Sequence, residues 1–447
     1  MKIAVLGCGP QSIFLAKAVA QNAQSLDIEK LVIYDEDPRR RSVFGGFNAK
    51  LCKLLHPRLR FFCTDNLVEA VIAADFVIVL DVPGYYEQAD VFLKKIKSLN
   101  VFADLYFGPG AMNAAIYAFP YLEKYCTYVK KYSRPNVKLI NFIPPCGVIM
   151  QALRTKGFDF IYGIGLSARQ LLLDIAAILK TDASLLDARV SGLAGLSVFD
   201  RVARDGKDVL VQLLQNDAVF SQTDAGYLSP DLLYEKGLIA DRFFSVFLGN
   251  DKALKSQAEE SFSSALRQTE REKALLSALE STESRGSFET AIQVFQSTIR
   301  AYMPVGLPLE TDDISFLSFS PFDRENALFA TETLRLINAL GSQKKEKFFL
   351  LAPNAGILPG FSADDIIMHA CEVSSAGIFA KGEQICDAGF LELLRRIKFS
   401  ERGFVRGITD GDEKAMVDAL ALFPGIAFYS AAKTLLNKEE ERKRKRL

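Results

Sequence analysis

Apolar runs alternate with helical patterns over the first 150 residues of the chain. The apolar runs resemble buried strands, since they are short and most end at glycine, proline or aspartate. These runs are KIAVLG, LVIYDED, RFFCTD, FVIVLDVPG and KLINFIPPCG. Segments with helical spacing lie between them, such as VEAVIAA and AAIYAFPYLEKYCTYVKKY. Strands that alternate with helices in this way predict a parallel, doubly wound α/β sheet.

The pattern changes after about residue 160. A strand-like FIYGIG and a helical ARQLLLDIAAIL come first, and the stretch ARVSGLAGLSVFDRVARDGKDVLVQLL then predicts antiparallel strands with a turn at Asp205-Gly206. Residues 229–302 have helical spacing, the stretch FFLLAPNAGILPGFSADDIIMHACEVSSAGI predicts strands separated by turns, and the end from about residue 384 is helical. We therefore predict a Rossmann-type dinucleotide-binding domain over residues 1–155 and an α+β substrate and oligomerisation domain over residues 156–447.

The first twelve residues, MKIAVLGCGPQS, form the most specific motif. Gly7 permits a tight turn after the first strand, and Gly9 lets the backbone approach a pyrophosphate at the helix N-terminus. Asp35 ends the second strand, where a carboxylate accepts the ribose hydroxyls and disfavours a 2′-phosphate. Ser12 stands where the fingerprint has its third glycine. The motif predicts NAD as the cofactor. The alternative is an α/β domain whose crevice is empty.

The residues that we predict to contact NAD follow the ends of the predicted strands. In doubly wound sheets, ligands bind outside the carboxyl ends of the strands. The predicted contact residues are Gly7, Gly9, Pro10, Gln11, Ser12, Asp35, Thr64, Asp65, Val82 and Asn141.

Composition and charge narrow the class of protein. The chain has 447 residues, 49% of them hydrophobic and 24% charged, which is ordinary for a globular enzyme. The formal net charge of 0 argues against nucleic acid or an anionic membrane as a partner of the whole surface. The tail EEERKRKRL is the one stretch with a strongly uneven distribution of charge. We interpret it as a solvated helix end, and a basic targeting signal is the alternative.

Cysteine usage and hydropathy predict a cytoplasmic protein. The seven cysteines occur singly, without a CxxC pair, which is typical of reduced thiols. They are Cys8, Cys52, Cys63, Cys126, Cys146, Cys371 and Cys386. The chain opens directly on a core strand, which predicts that there is no signal peptide. No apolar stretch reaches the roughly 18 uncharged residues of a membrane span.

Histidine is scarce, and this limits metal chemistry. His56 and His369 are the only two histidines, so the chain cannot build a multi-histidine metal site. We expect each to be a structural or surface residue.

The chain resembles glycoside hydrolase family 4, the NAD-dependent glycosidases related to malate and lactate dehydrogenases. The resemblance runs nearly end to end and rests on the common order of several segments. These are MKIAVLGCGP, LVIYDED, FFCTDNLVEAVIAADFVIV, YFGPGAMNAAIYAFPYL, KLINFIPPCGVIMQAL, NAGILPGFSADDIIMHACEVSSAGI and RGITDGDEKAMVDALALFPGI.

The resemblance implies an unusual glycosidase chemistry. In the family, NAD oxidises C3 of the sugar, a tyrosine removes the acidified C2 proton, and the leaving group is eliminated before water adds and hydride returns. A divalent metal, usually manganese, polarises the ketone and is held by a cysteine and a histidine. This scheme is an exception to the two-carboxylate mechanism of most glycosidases.

The sequence departs from the family at the positions that carry this chemistry. Gly165 and Leu166 stand for the Cys-Asn pair, Ala194 and Gly195 for the Asn-His pair, Pro144 for a sugar-facing Asn, Arg242 or Phe243 for the tyrosine, and Asp81 for an arginine. Glycine and alanine cannot coordinate a metal, so we predict no metal site and leave the catalytic residues unknown.

Five residues near these positions are candidates for a compensating site. Cys146, Tyr227, Tyr234 and Ser167 carry reactive groups, and the guanidinium of Arg169 is a candidate electrophile in place of the metal. The more ordinary interpretation is that Cys146 is a small buried apolar residue, that the tyrosines are core or surface residues, and that Arg169 is ion-paired.

Three functions follow as hypotheses. The first is an NAD-binding protein that binds a small sugar-like ligand without family glycosidase activity. The second is an NAD-dependent oxidoreductase of a sugar or hydroxy acid, with Asp81, Tyr227 or Tyr234 as the base. The third is a metal-dependent glycosidase or 6-phospho-glycosidase with relocated ligands, for which His369 and Cys371 are the one His–Cys neighbourhood. The resemblance implies a homodimer or homotetramer.

Overall fold

A computed structural model confirms the doubly wound α/β fold. It describes residues 1–99, 101–102, 104–248, 264–283, 286–301, 324–381, 387–426 and 428–436. Cys386 and the basic tail from residue 439 lie outside the described residues. The other six cysteines are free thiols. Among the described residues, no helix is both long and apolar enough to span a bilayer.

The strands join into a continuous sheet. They are β1 Lys2–Leu6, β2 Lys30–Tyr34, β3 Arg60–Thr64, β4 Phe76–Val79, β5 Lys138–Asn141, β6 Ile161–Ile164, β7 Leu186–Leu193, β8 Leu196–Arg204, β9 Lys207–Asp208, β10 Ile239–Ala240, β11 Glu346–Pro353, β12 Ile366–Ser374 and β13 Gly377–Ala380. The order is β10-β8-β7-β12-β11-β6-β5-β4-β1-β2-β3, with β13 beside β12 and β9 beside β8. Strands β1 to β6 are parallel, and β11 continues the sheet antiparallel to β6.

Helices cover both faces of the sheet. They are α1 Pro10–Asn22, α2 Pro38–Arg40, α3 Gly46–Leu55, α4 Leu67–Val71, α5 Tyr85–Ser98, α6 Gly108–Tyr132, α7 Cys146–Thr155, α8 Leu166–Ile178, α9 Leu210–Leu214, α10 Asp217–Gln222, α11 Pro230–Lys236, α12 Ser245–Leu248, α13 Ser264–Glu283, α14 Phe288–Ala301, α15 Arg324–Gly341, α16 Ala388–Asp410, α17 Glu413–Ala421 and α18 Tyr429–Leu436. Because β6 pairs with β5 on one side and β11 on the other, the sheet continues past residue 155. The domain boundary at that residue stays a prediction.

The antiparallel stretch after residue 186 differs from the sequence prediction in two details. The predicted turn at Asp205-Gly206 is present and joins β8 to the short β9. The longer hairpin, however, turns at Ala194-Gly195, where Gly195 has a φ of +75°. Residues 210–214 form α9 rather than a strand, because Leu210, Leu213 and Leu214 are buried at helical spacing.

Helices α13 and α14 bring a distant part of the chain onto the nucleotide-binding half. Phe295 of α14 packs on Phe14 of α1 and on Phe47 of α3, with ring centroids 5.5 Å apart in both cases. Leu275 and Leu279 of α13 are buried in the same apolar cluster as these rings. Burial of these side chains fixes α13 against the carboxyl edge of the parallel strands.

Candidate functional site

The glycine turn after β1 has the geometry that the motif predicts. Gly7 has a φ of +109°, and a Cβ on it would lie 2.7 Å from the Cβ of Asp81 and 2.8 Å from its backbone nitrogen. Only glycine satisfies both conditions. Gly9 caps α1, and Pro10 is its first residue, so the helix points its N-terminus at the crevice.

Ser12 is accommodated by hydrogen bonds at the position of the third glycine. Its hydroxyl is fully buried, donates to the Gly9 carbonyl at 2.7 Å and accepts from the Asn48 side chain at 2.9 Å. Because Asn48 belongs to α3, this contact ties α1 to the neighbouring helix. The substitution therefore leaves the turn intact.

Asp35 is placed at the end of β2, as predicted, but its carboxylate is already bound by the protein. Its Oδ2 accepts the backbone N–H of Cys8 at 2.7 Å, and its Oδ1 accepts that of Asp37 at 3.0 Å. The same Oδ2 lies 3.2 Å from Nη1 of Arg40. The carboxylate that the motif assigns to the ribose is thus 5% exposed.

Arg40 is the centre of a buried ion cluster. Its Nη2 donates to Asp81 at 2.6 Å, and its Nε lies 3.1 Å from the Glu272 carboxylate of α13. We refer to Asp35, Arg40, Asp81 and Glu272 as the crevice cluster. Three carboxylates and one guanidinium give it a formal net charge of −2 when all four groups are ionised.

Burial and like charges raise the pKa of two acids of the crevice cluster, Asp81 and Glu272. Burial, with Asp81, Asp35 and Glu87 nearby, raises the pKa of Glu272 to about 7 despite its pairing with Arg40. Burial also raises the pKa of Asp81, against the opposing effect of Arg40. Burial would lower the pKa of Arg40, but Asp81, Glu272 and Asp35 together raise it, so the guanidinium stays charged.

The other predicted cofactor residues follow the ends of neighbouring strands. Thr64 ends β3, and its hydroxyl donates to Glu69 at 2.7 Å, while Asp65 is exposed and pairs with Arg41 at 3.0 Å. The Val82 N–H donates to Asp81 at 2.8 Å. Asn141 ends β5, and its side-chain amide donates to the Ile143 carbonyl at 3.1 Å. Gln11 follows Pro10 in the first turn of α1. The fold therefore gathers all ten predicted residues along one edge, although their contact with NAD stays a prediction.

The positions predicted to have lost the metal ligands are filled by apolar side chains. A Cβ on Gly165 would overlap the sulfur of Met368. A Cβ on Gly195 would lie 3.0 Å from the ring of Phe243. Ala194 lies beside Gly147, where an added Cβ would be 3.3 Å from its methyl group. These neighbours leave no room for a coordinating side chain without rearrangement.

The segment that we predict to stand for the catalytic tyrosine is part of an aromatic cluster. Phe243 is buried and stacks on Phe107, with ring centroids 5.6 Å apart and an interplanar angle of 29°. Arg242 lies over the Phe243 ring at 4.9 Å and 4.0 Å from the Asp224 carboxylate. Neither side chain supplies a group that removes a proton at neutral pH.

A small cavity lies between the glycine-rich start of α6 and the Ala194 turn. Its walls include Phe107, Gly147, Ala194, Phe423 and Glu401, and its volume is about 10 Å³, enough for about one water molecule. Glu401 is paired with Lys398 at 3.1 Å, and Lys398 also donates to the Ile366 carbonyl at 3.0 Å. Glu401, the one charged residue of the cavity lining, is therefore already ion-paired.

The candidate compensating residues do not converge on one point. Cys146 donates to the Asn141 carbonyl at 3.3 Å, and burial raises the pKa of its thiol to about 12. Arg169 is paired with Glu332 at 3.0 Å. Tyr227 and Tyr234 are 60% and 52% exposed. These four residues therefore have the ordinary structural surroundings expected of their residue types.

The ring of His369 is buried against backbone carbonyls. The ring nitrogens of His369 lie 3.1 and 3.2 Å from the carbonyls of Ala370 and Pro353, and burial lowers the pKa of the ring. Cys371 contacts the same ring at 3.5 Å. His56 ends α3. In the part of the chain that the structure describes, no group of three or more histidine, cysteine or acidic side chains is arranged to hold a metal ion.

Asp241 is a buried acid beside the aromatic cluster. It is 4% exposed, accepts a hydrogen bond from Ser167, and accepts the Phe243 N–H at 3.4 Å. Burial and the nearby Asp224 raise its pKa to about 7. Ser167 follows Gly165 by two residues, so this pair brings one of the candidate residues into contact with an acid that the sequence pattern did not reveal.

We expect Asp241→Asn to stabilise the fold in a pH-dependent way. The pKa of Asp241 is about 7 in the folded chain, above the ordinary 3.8, so ionisation destabilises the folded state as pH rises from about 4 to 7. Asparagine keeps an acceptor for Ser167 and Phe243 but carries no charge. The gain in unfolding free energy over the wild type should be about 2 kcal/mol larger at pH 8 than at pH 5.

Urea denaturation at both pH values measures this gain. Asp217→Asn, on an exposed residue of α10, is the matched control and should show no such difference. An equal gain at both pH values would contradict the raised pKa.

Sequence reasoning missed Arg40, Glu272 and Asp241. Arg40 follows the second-strand acid by five residues and lies in a run of three arginines, which is a weak signal for contact with the crevice. Glu272 is 232 residues further along the chain, and nothing local connects it to the glycine turn. Asp241 had no signal beyond its place in the tyrosine segment.

Family models match most of the chain. The model described as Family 4 glycosyl hydrolase matches residues 2–171, and the model for the Family 4 glycosyl hydrolase C-terminal domain matches residues 192–426. The 6-phospho-beta-glucosidase BglT of Thermotoga maritima is 21% identical over 439 residues, 98% of this chain and 97% of the relative. The maltose-6'-phosphate glucosidase MalH of Clostridium acetobutylicum is 27% identical over 156 residues, 34% and 35% of the two chains.

Solved structures share the complete fold. The Thermotoga maritima 6-phospho-beta glucosidase with manganese, NAD+ and glucose-6-phosphate has a TM-score of 0.80 at 21% identity, covering 100% of this chain and 98% of its own. A 6-phospho-alpha-glucosidase from gut microorganisms, in complex with NAD and Mn2+, has a TM-score of 0.82 at 17% identity, covering 99% and 98%. With both family models matched in order, this chain is a member of glycoside hydrolase family 4.

Proposed function

We propose that this family 4 chain binds NAD and a small carbohydrate-like ligand without carrying out the manganese-dependent glycosidase reaction. The observation that carries the proposal is the filling of the two metal-ligand positions. Met368 lies against Gly165, and Phe243 lies against Gly195, where the resemblance implies a cysteine and a histidine in active members. A reaction that needs a Lewis acid at this point has no ligands to hold one.

The nucleotide half of the proposal is supported by the glycine turn. Gly7, Gly9 and the N-terminus of α1 would hold the pyrophosphate, and Asp35 would face the ribose. Bound NAD supplies a hydride acceptor. The guanidinium of Arg40 lies against Gly9, however, so the crevice does not fit NAD without a movement of Arg40.

Manganese does not fit the residues present. Gly165 and Gly195 carry no side-chain donor atoms, and both ring nitrogens of the buried His369 lie within 3.2 Å of backbone carbonyls. The paired acids of the crevice cluster surround a guanidinium rather than an open position. We therefore assign no metal role to this chain.

The carbohydrate half of the proposal is supported by relatives whose structures contain glucose-6-phosphate. The cavity beside Ala194 holds about one water molecule, so a sugar would have to displace the aromatic side chains of Phe107 or Phe423. The predicted homodimer or homotetramer belongs to the same proposal.

No observation favours the two alternatives. An oxidoreductase needs a base beside the substrate alcohol, but Asp81 is bound to Arg40 at 2.6 Å, and Tyr227 and Tyr234 are exposed. A glycosidase with relocated ligands would need His369, whose nitrogens contact backbone carbonyls.

A hydrolysis assay tests the absence of glycosidase activity. We expect no release of p-nitrophenol from α- and β-linked p-nitrophenyl 6-phosphoglucosides with NAD and manganese, because the chain cannot hold the metal. The Thermotoga maritima 6-phospho-beta-glucosidase is the positive control for the β-linked substrate. Manganese-dependent hydrolysis would disprove this half of the proposal.

Calorimetric titration tests the cofactor. NAD should bind with the same dissociation constant in manganese and in EDTA. A lower dissociation constant in manganese would indicate a metal site, and the absence of NAD binding would disprove the nucleotide half.

A further inference from the structure

The crevice cluster places a cation where a nucleotide phosphate would lie. A Cβ on Gly9 would be only 2.6 Å from Nη2 of Arg40, so the guanidinium is in direct contact with the glycine turn. In a dinucleotide-binding motif, the second glycine is the point at which the backbone approaches the pyrophosphate. Arg40 therefore occupies the position of that group.

The charge of the cluster also opposes the ligand. A pyrophosphate is a dianion, and the cluster carries a formal net charge of −2, so the three acids would repel it unless Arg40 turns toward it. Released from the acids, a guanidinium is a strong bidentate partner for phosphate. The Arg40 side chain thus blocks the pyrophosphate in its present position and would bind the pyrophosphate if it turned away from the acids.

Glu272 is the one partner of Arg40 that a distant part of the chain supplies, and its carboxylate lies 3.1 Å from Nε. Nη2 lies 2.6 Å from Asp81 but 3.5 Å from Glu272, and the buried Nε makes no hydrogen bond with acceptable geometry. Asp35 and Asp81 follow β2 and β4, whereas Glu272 comes from α13. Leu275 and Leu279 anchor α13, so the ion pair is able to break without loss of the helix.

We propose that the Arg40–Glu272 ion pair is a latch that holds the guanidinium against Gly9 and keeps a nucleotide out of the crevice until the pair breaks. The latch is an autoinhibitory contact between a distant helix and the glycine turn. The inference rests on the proposed function, since NAD is the ligand that it excludes. A variant that weakens the pair should therefore bind NAD more tightly.

Glu272→Gln removes the charge of the latch and keeps the shape of the side chain. Glu280→Gln is the matched control, because Glu280 is on the same helix and pairs with Arg39 on the surface at 2.7 Å. We expect calorimetry to show NAD binding about tenfold tighter in Glu272→Gln than in the wild type, and unchanged in Glu280→Gln. Thermal unfolding confirms that both variants are folded.

Hydrogen exchange measures the latch without the ligand. The peptide over residues 7–15 contains the Cys8 N–H, which is bound to the Asp35 carboxylate beside Arg40. Hydrogen exchange of this peptide should be faster in Glu272→Gln than in the wild type or Glu280→Gln, because the Arg40 guanidinium leaves the glycine turn more often.

The two measurements separate the latch from the nucleotide proposal. Faster exchange in Glu272→Gln without NAD binding in any variant would support the latch contact and disprove NAD as the ligand. Equal exchange, or NAD binding that is equal or weaker in Glu272→Gln, would overturn the latch.

Discussion

Arg40→Met is expected to lower the free energy of unfolding by about 3–5 kcal/mol at pH 8, because it leaves buried carboxylates without a counter-charge. Asp35, Asp81 and Glu272 all lie within 3.2 Å of the guanidinium that the substitution removes. Methionine has a similar length and packs as an apolar side chain, so most of the loss is electrostatic.

The loss should depend on pH in a definite direction. Without Arg40, the pKa values of Asp81 and Glu272 rise further in the folded state, so the variant loses stability as pH increases through these values. The deficit relative to the wild type should therefore be smaller at pH 5 than at pH 8, as measured by urea denaturation.

Arg39→Met is the matched control for Arg40→Met. Arg39 pairs with Glu280 on the surface, with side-chain exposures of 51% and 39%. Exposed ion pairs contribute between about 0 and 1 kcal/mol, so this variant should be close to the wild type. An Arg40→Met variant as stable as Arg39→Met would show that the crevice cluster does not need its cation.

Gly7→Ala is expected to destabilise the fold by about 3–5 kcal/mol, because a backbone strain and a steric clash add together. The φ of +109° is unfavourable for alanine, and the new methyl group would lie 2.7 and 2.8 Å from the Cβ and the backbone nitrogen of Asp81. Since Asp81 is bound to Arg40, a shift of its backbone would also disturb the crevice cluster.

Gly206→Ala separates the two causes of the Gly7→Ala effect. Gly206 has a φ of +78° in the β8–β9 turn, and an added Cβ there would meet no atom within 4 Å. Gly206→Ala should lower the free energy of unfolding by about 1 kcal/mol, because it introduces the backbone strain without the clash. Thermal or urea unfolding of both variants measures the difference, and equal costs would contradict a clash at Gly7.

Much of the fold could be predicted from the sequence because it depends on local patterns. The predicted strands KIAVLG, LVIYDED, RFFCTD, FVIVLDVPG and KLINFIPPCG correspond to β1 to β5, in the order 3-2-1-4-5 with β6 beside them. Short apolar runs that end at turn residues specify parallel strands, since both faces are covered by helices. The hairpin at Ala194-Gly195 was missed because its apolar run continues across the turn.

Fewer residues of the candidate site could be predicted from the sequence. Glycine turns and strand-end acids have fixed spacing, so Gly7, Gly9 and Asp35 could be named from the first 35 residues. Asp241 lies in a segment without a recognisable pattern, and its raised pKa arises from burial. Burial depends on which elements cover a residue, which a local window of sequence does not contain.

By itself, the sequence determined the parallel sheet and the glycine turn after β1, and it predicted which residues stand at the family's metal and tyrosine positions. Only the tertiary structure decided that Glu272 meets Arg40 across 232 residues and that Met368 lies against Gly165. Strand and turn formation depends on neighbours along the chain, whereas these contacts depend on how α13 and β12 pack against the parallel strands. The state of the crevice is therefore a property of long-range packing and buried charge, which no local pattern of residues encodes.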